Sequence, residues 1–571
     1  MLDGDCAQMT METPNTEEPH EAEAETAEAC YRRRLKECDA QRRAEQRRDR
    51  WLGISKIGLG AAIAAALIWF VQTASGTGAL AGSCLAALVL IFAVLAVAHE
   101  RVLDQLKLTR VRLRFYERGL ARLENRWTGT GEAGLRYLDA THPYARDLDL
   151  FGEGSLFELL CTCRAAVGEQ TLAKWLLERA EPEEIGTRQD AVRALASRTK
   201  FREQLFTAGA AARRGVKFDA VLEWAKQKEW PGQGLLSAAA AMLALLLAAS
   251  VVWAILHNAY LPLVIAGVAN VAVSKFARKR VEASTRALEE SAQDLGVLMQ
   301  VLATLEREEC SAPLFAALQN ALRTNGVSAT DALKKLNHIA QWLESRDNMI
   351  VRSVDTLIFY SLQVETMAVR WRQKFGSSIG DWLTVVGMME ALAALSGYAF
   401  EHPEDAWPEM TNGSAYFEAE GMAHPLLPAA TTVPSDLTLG RDMQLLIVSG
   451  PNMAGKSTFI RATGLNAVLA QCGAPVRARK MRMSPLAVGA SICVLDSLQG
   501  GVSRFYAEIK RLKQITDMAV GATPVLFLLD ELLSGANSHD RAAGTELVVR
   551  SLVKRGAIGM VTTHDLALTH I

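Results

Sequence analysis

Nine consecutive residues, Gly450, Pro451, Asn452, Met453, Ala454, Gly455, Lys456, Ser457 and Thr458, follow an apolar run and fit the spacing G-x-x-x-x-G-K-[ST]. Glycines let such a loop lay backbone N–H groups against a phosphate, and a helix opening behind it adds the positive end of its dipole. Lys456 would then bridge β- and γ-phosphate oxygens while the Ser457 hydroxyl ligates Mg²⁺. A glycine turn with a solvated lysine is the bland alternative, and the downstream partners weigh against it. The run VLFLL ends in Asp530 and Glu531, the first placed to hold the metal shell and the second to orient an attacking water. The later run VTTHD brings His564 to the same edge. A lone histidine is usually structural, but this one sits where ligands gather in such sheets and could sense the γ-phosphate. The expectation is ATP with Mg²⁺ as cofactors, Glu531 and His564 as catalytic residues, and Ser457 with Asp530 as metal ligands.

These residues need strands that end together. Short apolar runs at 444–448, 525–529 and 558–562 alternate with helices starting near Gly455 and after Ser538, which predicts a parallel α/β domain of the P-loop (ABC) type over residues 411–571. From Asp139 to about Trp407 apolar residues recur at three- and four-residue steps, predicting an all-α scaffold.

At 571 residues the chain exceeds one ordinary core. Sixty-two Lys and Arg against 63 Asp and Glu leave a net charge of -1, so any nucleic-acid contact must be local. The cysteines, including Cys161 and Cys163, lack zinc-site spacing and read as reduced thiols. Residues 1–30 hold nine acidic and no basic residues, whereas Arg32, Arg33, Arg34, Lys36, Arg42, Arg43, Arg47, Arg48 and Arg50 reverse the sign. Residues 1–50 are therefore expected as a disordered tail, acidic and then basic.

Charge-free runs at 57–74, 78–98 and 234–256, with a shorter one from 261 to 273, predict two transmembrane helical hairpins. Buried alanine-rich core helices are the competing reading. Basic residues before and after both hairpins place both ends on the cytoplasmic side. The expected chain is a multi-pass protein of the inner membrane, in contact with the lipid bilayer, with its catalytic domain in the cytoplasm. Its expected division is tail 1–50, hairpin 51–98, amphipathic connector 99–138, core 139–233, hairpin 234–276, core and lever 277–410, and ATPase domain 411–571.

The Pro-Asn-Met tripeptide ahead of GKST resembles the MutS family of mismatch-repair ATPases, and unlike the SGSGKS loop it does not suggest a transporter ATPase. Residues 154–195 are similar to that family's helical core, and EALAALSGYAFEHPE with EGMAHPLLP to its connection into the ATPase. The resemblance covers roughly 139–571 and makes the scaffold a MutS-like core. It implies a homodimer through the ATPase domains, closed by ATP, with Ser503 of GVSRFYAE reaching a γ-phosphate across the dimer, and DNA as a candidate partner. Arg504 stands where the family has Thr, and Thr432 where it has an adenine-stacking aromatic. No mismatch-reading N-terminal domain is evident; the tripeptide Phe115-Tyr116-Glu117 lies in an amphipathic helix and is expected to be an interface aromatic. Related proteins continue beyond the histidine loop, so truncation at Ile571 is expected. The alternative function is a nucleotide-gated membrane scaffold or adaptor without DNA activity.

Overall fold

In the computed structural model, the described residues are 25–72, 78–210, 218–227, 232–347, 349–451, 454–492, 504–533 and 537–564. The basic stretch expected to belong to a disordered tail is helical instead. One helix spans Ala27–Gln72 and a second, antiparallel to it, Gly78–Leu123. The tail composition cannot fold alone, but it does not stand alone. Tyr31 is 1% exposed, its ring 5.9 Å from that of Tyr116 and 5.6 Å from that of Phe400. Gly119 leaves room for it, since a Cβ there would come within 2.5 Å of the Tyr31 ring. Pairs such as Arg33 with Glu37, one turn apart, add the usual small helix support. Phe115 and Tyr116 are buried in this seam.

The distal halves of both helices differ. Only 6% of each apolar stretch is covered by protein. A second pair, Gln233–His257 and Leu261–Glu290, turns at Asn258, whose φ of 51° suits asparagine. The boundary expected at residue 276 falls inside the latter helix, which continues until Val281, Thr285 and Leu288 are buried in the body. Among the described residues five helices are long and apolar enough to cross a membrane; the fifth, Ser378–Glu401, has 83% of its apolar stretch buried.

That fifth helix is the axis of the scaffold, with Ala166–Leu177, Pro182–Ala196 and Pro313–Ala321 packed around it. One exception to helix is a two-stranded hairpin, Arg323–Thr324 with Val327–Ser328, whose Asn325-Gly326 turn has φ of 52° and 75°.

The C-terminal region holds two four-stranded sheets. The first is fully parallel in the order Leu445–Ser449, Ile558–Thr563, Val525–Asp530, Ala487–Ser491. Its side chains alternate between faces. Leu526, Leu528 and Met560 join the main core with the helix Lys456–Cys472, whereas Val525, Phe527, Leu529 and Val561 pack with Leu512, Ile515, Val549 and Leu552 of the opposite helices. The second sheet, Glu409–Met410, Lys480–Met483, Phe417–Met422 and Ser435–Leu439, is mixed and was not expected from the sequence.

Residues 139–151 seal the outer edge of the parallel sheet. Ala490 donates its N–H to the Pro143 carbonyl at 2.9 Å, and Ile492 donates to Asp147 at 2.7 Å. Arg511 reaches the carbonyls of Ala140 and His142. The edge N–H groups are thereby paired within the chain instead of being offered to another strand.

Candidate functional site

Register brings the chemistry together. Parallel pairing sets Thr563 opposite Ser449 and Thr562 opposite Asp530, so the loop after Ser449, the acidic pair and His564 all emerge at one end of the sheet. The strand LLIVS stops there, and the helix Lys456–Cys472 begins behind Gly455, whose φ of 85° is a conformation glycine adopts without steric cost. First-turn N–H groups of this long helix face the same end.

Lys456 is 7% exposed, and an ammonium so buried must be matched. Its Nζ donates to the Gly450 carbonyl at 2.6 Å and the Thr563 carbonyl at 3.3 Å, and lies 3.7 Å from the Glu531 carboxylate. The lysine thus spans the loop and two strand ends. Glu531 itself has φ of 46° and Leu533 φ of 52°, left-handed values that cost a side-chain-bearing residue free energy and cluster at functional turns. The Glu531 N–H donates to the Thr562 carbonyl at 3.2 Å, which fixes the turn. Its carboxylate is also 3.6 Å from His564 Nδ1. Asp530 accepts from the Thr562 hydroxyl.

The donor chemistry fits Mg²⁺ with a nucleotide phosphate. Magnesium asks for hard oxygen ligands and keeps several waters, so a serine hydroxyl and one carboxylate suffice. Among the described residues no cluster of three or more His, Cys, Asp or Glu could hold a metal; Ser457, Asp530 and Glu531 are oxygen-bearing side chains at this edge. Gly450, Pro451, Ala454, Gly455, Lys456, Ser457, Thr458, Asp530, Glu531 and His564 are brought to one place. Asn452, Met453 and Ser503 lie outside the described residues, as does the side chain of Arg504. Thr432 donates to the Pro428 carbonyl at 2.5 Å.

Three residues with a part here escaped sequence reasoning. Glu508, 4% exposed on the helix Arg504–Met518, accepts the Leu533 N–H and so ties down the turn that follows the acidic pair. Thr562 does the same for Asp530, and the only signal for it was its place in VTTHD. Arg541 Nη1 lies 3.4 Å from His564 Nε2. Behind the helix Lys456–Cys472, His424 is buried, and desolvation followed by the nearby Arg461 pushes its pKa down to about 4. It is a neutral packing group at ordinary pH.

Residues 446–571 match the family described as MutS domain V. The chain is 37% identical over 142 residues to an endonuclease MutS2 of Thermus thermophilus, covering 25% of this chain and 18% of that protein. It is 32% identical over 202 residues to an endonuclease MutS2 of Gemmatimonas aurantiaca, covering 33% and 23% respectively. To a DNA mismatch repair protein MutS of Methanosarcina mazei it is 28% identical over 237 residues, covering 40% and 26%. The chain therefore spans about a fifth to a quarter of the length of these curated relatives.

Proposed function

We propose, from the premise that the chain belongs to the MutS family through its domain V, that residues 450–458 with Asp530, Glu531 and His564 bind and hydrolyse Mg-ATP. The observation that carries this reading is the Lys456 ammonium, buried and held between the Gly450 carbonyl, the Thr563 carbonyl and Glu531. A cation held at that end of the sheet would supply the positive charge that a bound triphosphate needs. When bound, Mg²⁺ supplies neutralisation of the phosphate charge, and Ser457 and Asp530 would hold it. Glu531 orients water and takes up its proton, and His564 stands beside it at the γ-phosphate end.

In the fuller reading two copies close on ATP through their ATPase domains, Ser503 completes the partner's site, and the two apolar hairpins anchor the assembly in the inner membrane with the ATPase in the cytoplasm. DNA is the proposed substrate of the closing motion. A second reading, a nucleotide-gated membrane scaffold, draws on two polar clusters one turn apart on the helix Ser378–Glu401. Glu401 accepts from Tyr31 and Arg122 of the first hairpin, Tyr398 donates to Asp405, Asp405 pairs with Arg477, and the Arg477 N–H donates to Asn466 on the helix that starts at Lys456. Mobility shifts over a salt series separate the two, since DNA phosphate contacts impose a steep salt slope.

The core test is ATP binding and steady-state turnover of the solubilised chain. Lys456→Ala should lose ATP affinity. Glu531→Gln should bind ATP while turnover falls about 100-fold or more. Normal turnover in Glu531→Gln would contradict the assignment.

A further inference from the structure

We propose that Arg47, Arg48, Arg50 and Arg101, which ring the first hairpin just below its apolar spans, form a docking surface for the phosphates of anionic lipid headgroups. This rests on the membrane reading of the hairpins and adds a lipid class to it. The pattern of pairing along the first helix points to the surface. Arg32, Arg33, Arg34, Arg42 and Arg43, farther from the apolar stretch, are each matched by a carboxylate of the chain, and Lys36 is the one basic residue among them that is exposed without such a partner among the described residues. Arg47, Arg48 and Arg50, nearest to it, are exposed and have no acidic partner among the described residues. Arg101 on the antiparallel helix is likewise exposed and unmatched.

Their depth fits. At about 1.5 Å per helical residue, Arg50 lies about 10 Å and Arg47 about 15 Å before the apolar stretch that opens at Ile57. Arg101 lies about 5 Å past its end at Ala98. The headgroup layer is about 6 Å thick, and charge attraction persists about 8 Å beyond it. Measured along the helix axis, Arg48, Arg50 and Arg101 fall inside that range of about 14 Å and Arg47 stands at its edge, so all four guanidinium groups are attracted to lipid phosphate. Trp51, 67% exposed beside them, is the amphipathic aromatic expected at that level. The inward-facing groups at the same height serve the seam: His99 lies 2.8 Å from Asp49 and 3.2 Å from Lys56 Nζ. Glu100 is exposed there and opposes the cluster.

The second hairpin repeats the arrangement. Its apolar run ends near Val273, and Lys275 and Lys279, both exposed, follow within two turns, with Phe276 56% exposed between them. Clusters of this size directly below a membrane span bind anionic leaflets through many weak contacts, not one pocket.

Arg110 and Arg114 provide an internal control. They are exposed too, but about 18 Å and 24 Å beyond Ala98, outside the reach of the surface. The test is native mass spectrometry of the full chain ejected from mixed micelles holding equal phosphatidylglycerol and phosphatidylcholine. Phosphatidylglycerol should be retained in several-fold excess, and Arg47→Gln/Arg48→Gln/Arg50→Gln/Arg101→Gln should equalise the two lipids without shifting the unfolding midpoint. Arg110→Gln/Arg114→Gln should keep the excess. Equal retention by the wild type, an unchanged excess in the fourfold variant, or displacement of the bound lipid by short duplex DNA would overturn the proposal. A carbonate wash of membranes keeps the two levels apart: a chain that stays in the membrane yet shows no preference defeats the lipid surface alone, whereas release into the soluble fraction defeats the membrane reading and this inference together.

Discussion

Two comparably apolar helices meet opposite fates in this chain. The apolar stretch of Leu261–Glu290 is 11% buried, whereas that of Ser378–Glu401 is 83% buried. Length and hydropathy do not separate them. What separates them is where their charges sit and who answers those charges. The exposed stretch carries none over residues 261–274, and its charges, Lys275 and Arg278, come at its C-terminal end instead of its middle. The buried helix holds Glu390 in its middle and Glu401 at its end, both buried and both met by specific partners. A carboxylate midway along an apolar helix is costly in lipid and tolerable in a protein core that supplies donors. The core helix is thus set apart by its buried acids, and the exposed one by charges that stand only at its end.

The strongest way to break this contrast is to remove an answering charge. Arg122 donates to Glu401 at 2.7 Å, and the Glu401 side chain is fully buried. Arg122→Leu should destabilise the chain by about 3–5 kcal/mol, because it leaves a buried carboxylate uncompensated. Adding Glu401→Gln should restore part of the loss, since the unpaired charge goes with it. Thermal unfolding of the solubilised single and double variants reads both, and a double variant worse than the single would mean that shape, not charge, holds this junction.

Truncation of apolar groups sharpens the same contrast. Leu392, fully buried in the core helix, should cost about 2–5 kcal/mol on replacement by Ala through lost transfer and cavity terms. Leu90, 67% exposed on the second long helix, should shift stability by no more than about 0.5 kcal/mol when changed likewise. If Leu90→Ala proves as damaging as Leu392→Ala, protein covers that face in the assembled molecule.

What the sequence disclosed follows the range of the interactions. The loop 450–458, Asp530, Glu531 and His564 are local signals, each an apolar strand running into a polar tip, and parallel pairing brings such tips to one edge. The helix over 27–50 was illegible because its stability comes from Tyr31 meeting Tyr116 and Phe400, residues far along the chain. The mixed sheet was missed because strands such as Lys480–Met483 and Glu409–Met410 are short and half charged, too brief to show alternation. In the edge strand Ala487–Ser491 a glycine stands at position 489 because Ile515 packs directly over it, 3.0 Å from where a Cβ would stand. Glu508 and Thr562 could not be foreseen, since each acts on a turn that only the folded sheet brings near.

A pH-dependent effect separates the answered charge from one that is answered only in part. Glu390 accepts N–H bonds from Arg164 and Ala165, at 3.3 Å and 3.1 Å, yet it is walled in by Gly168 and Gly209 and lies near the Cys163 thiol and the Arg164 guanidinium. Burial outweighs the backbone donors and raises its pKa from 4.5 to about 7. The native chain therefore keeps a proton that the unfolded chain releases as pH rises from 4.5. With fewer protons bound in the unfolded state, stability falls across that window and levels off above 7. The whole change amounts to at most about 3 kcal/mol. Glu390→Gln, whose amide oxygen can accept the same bonds, should flatten that part of the profile and leave the variant more stable than wild type at pH 8. Unfolding midpoints at pH 5 and pH 8 decide it: an unaltered slope in Glu390→Gln would show that this carboxylate is ionised in the core, and that its donors satisfy it as completely as Arg122 and Tyr31 satisfy Glu401.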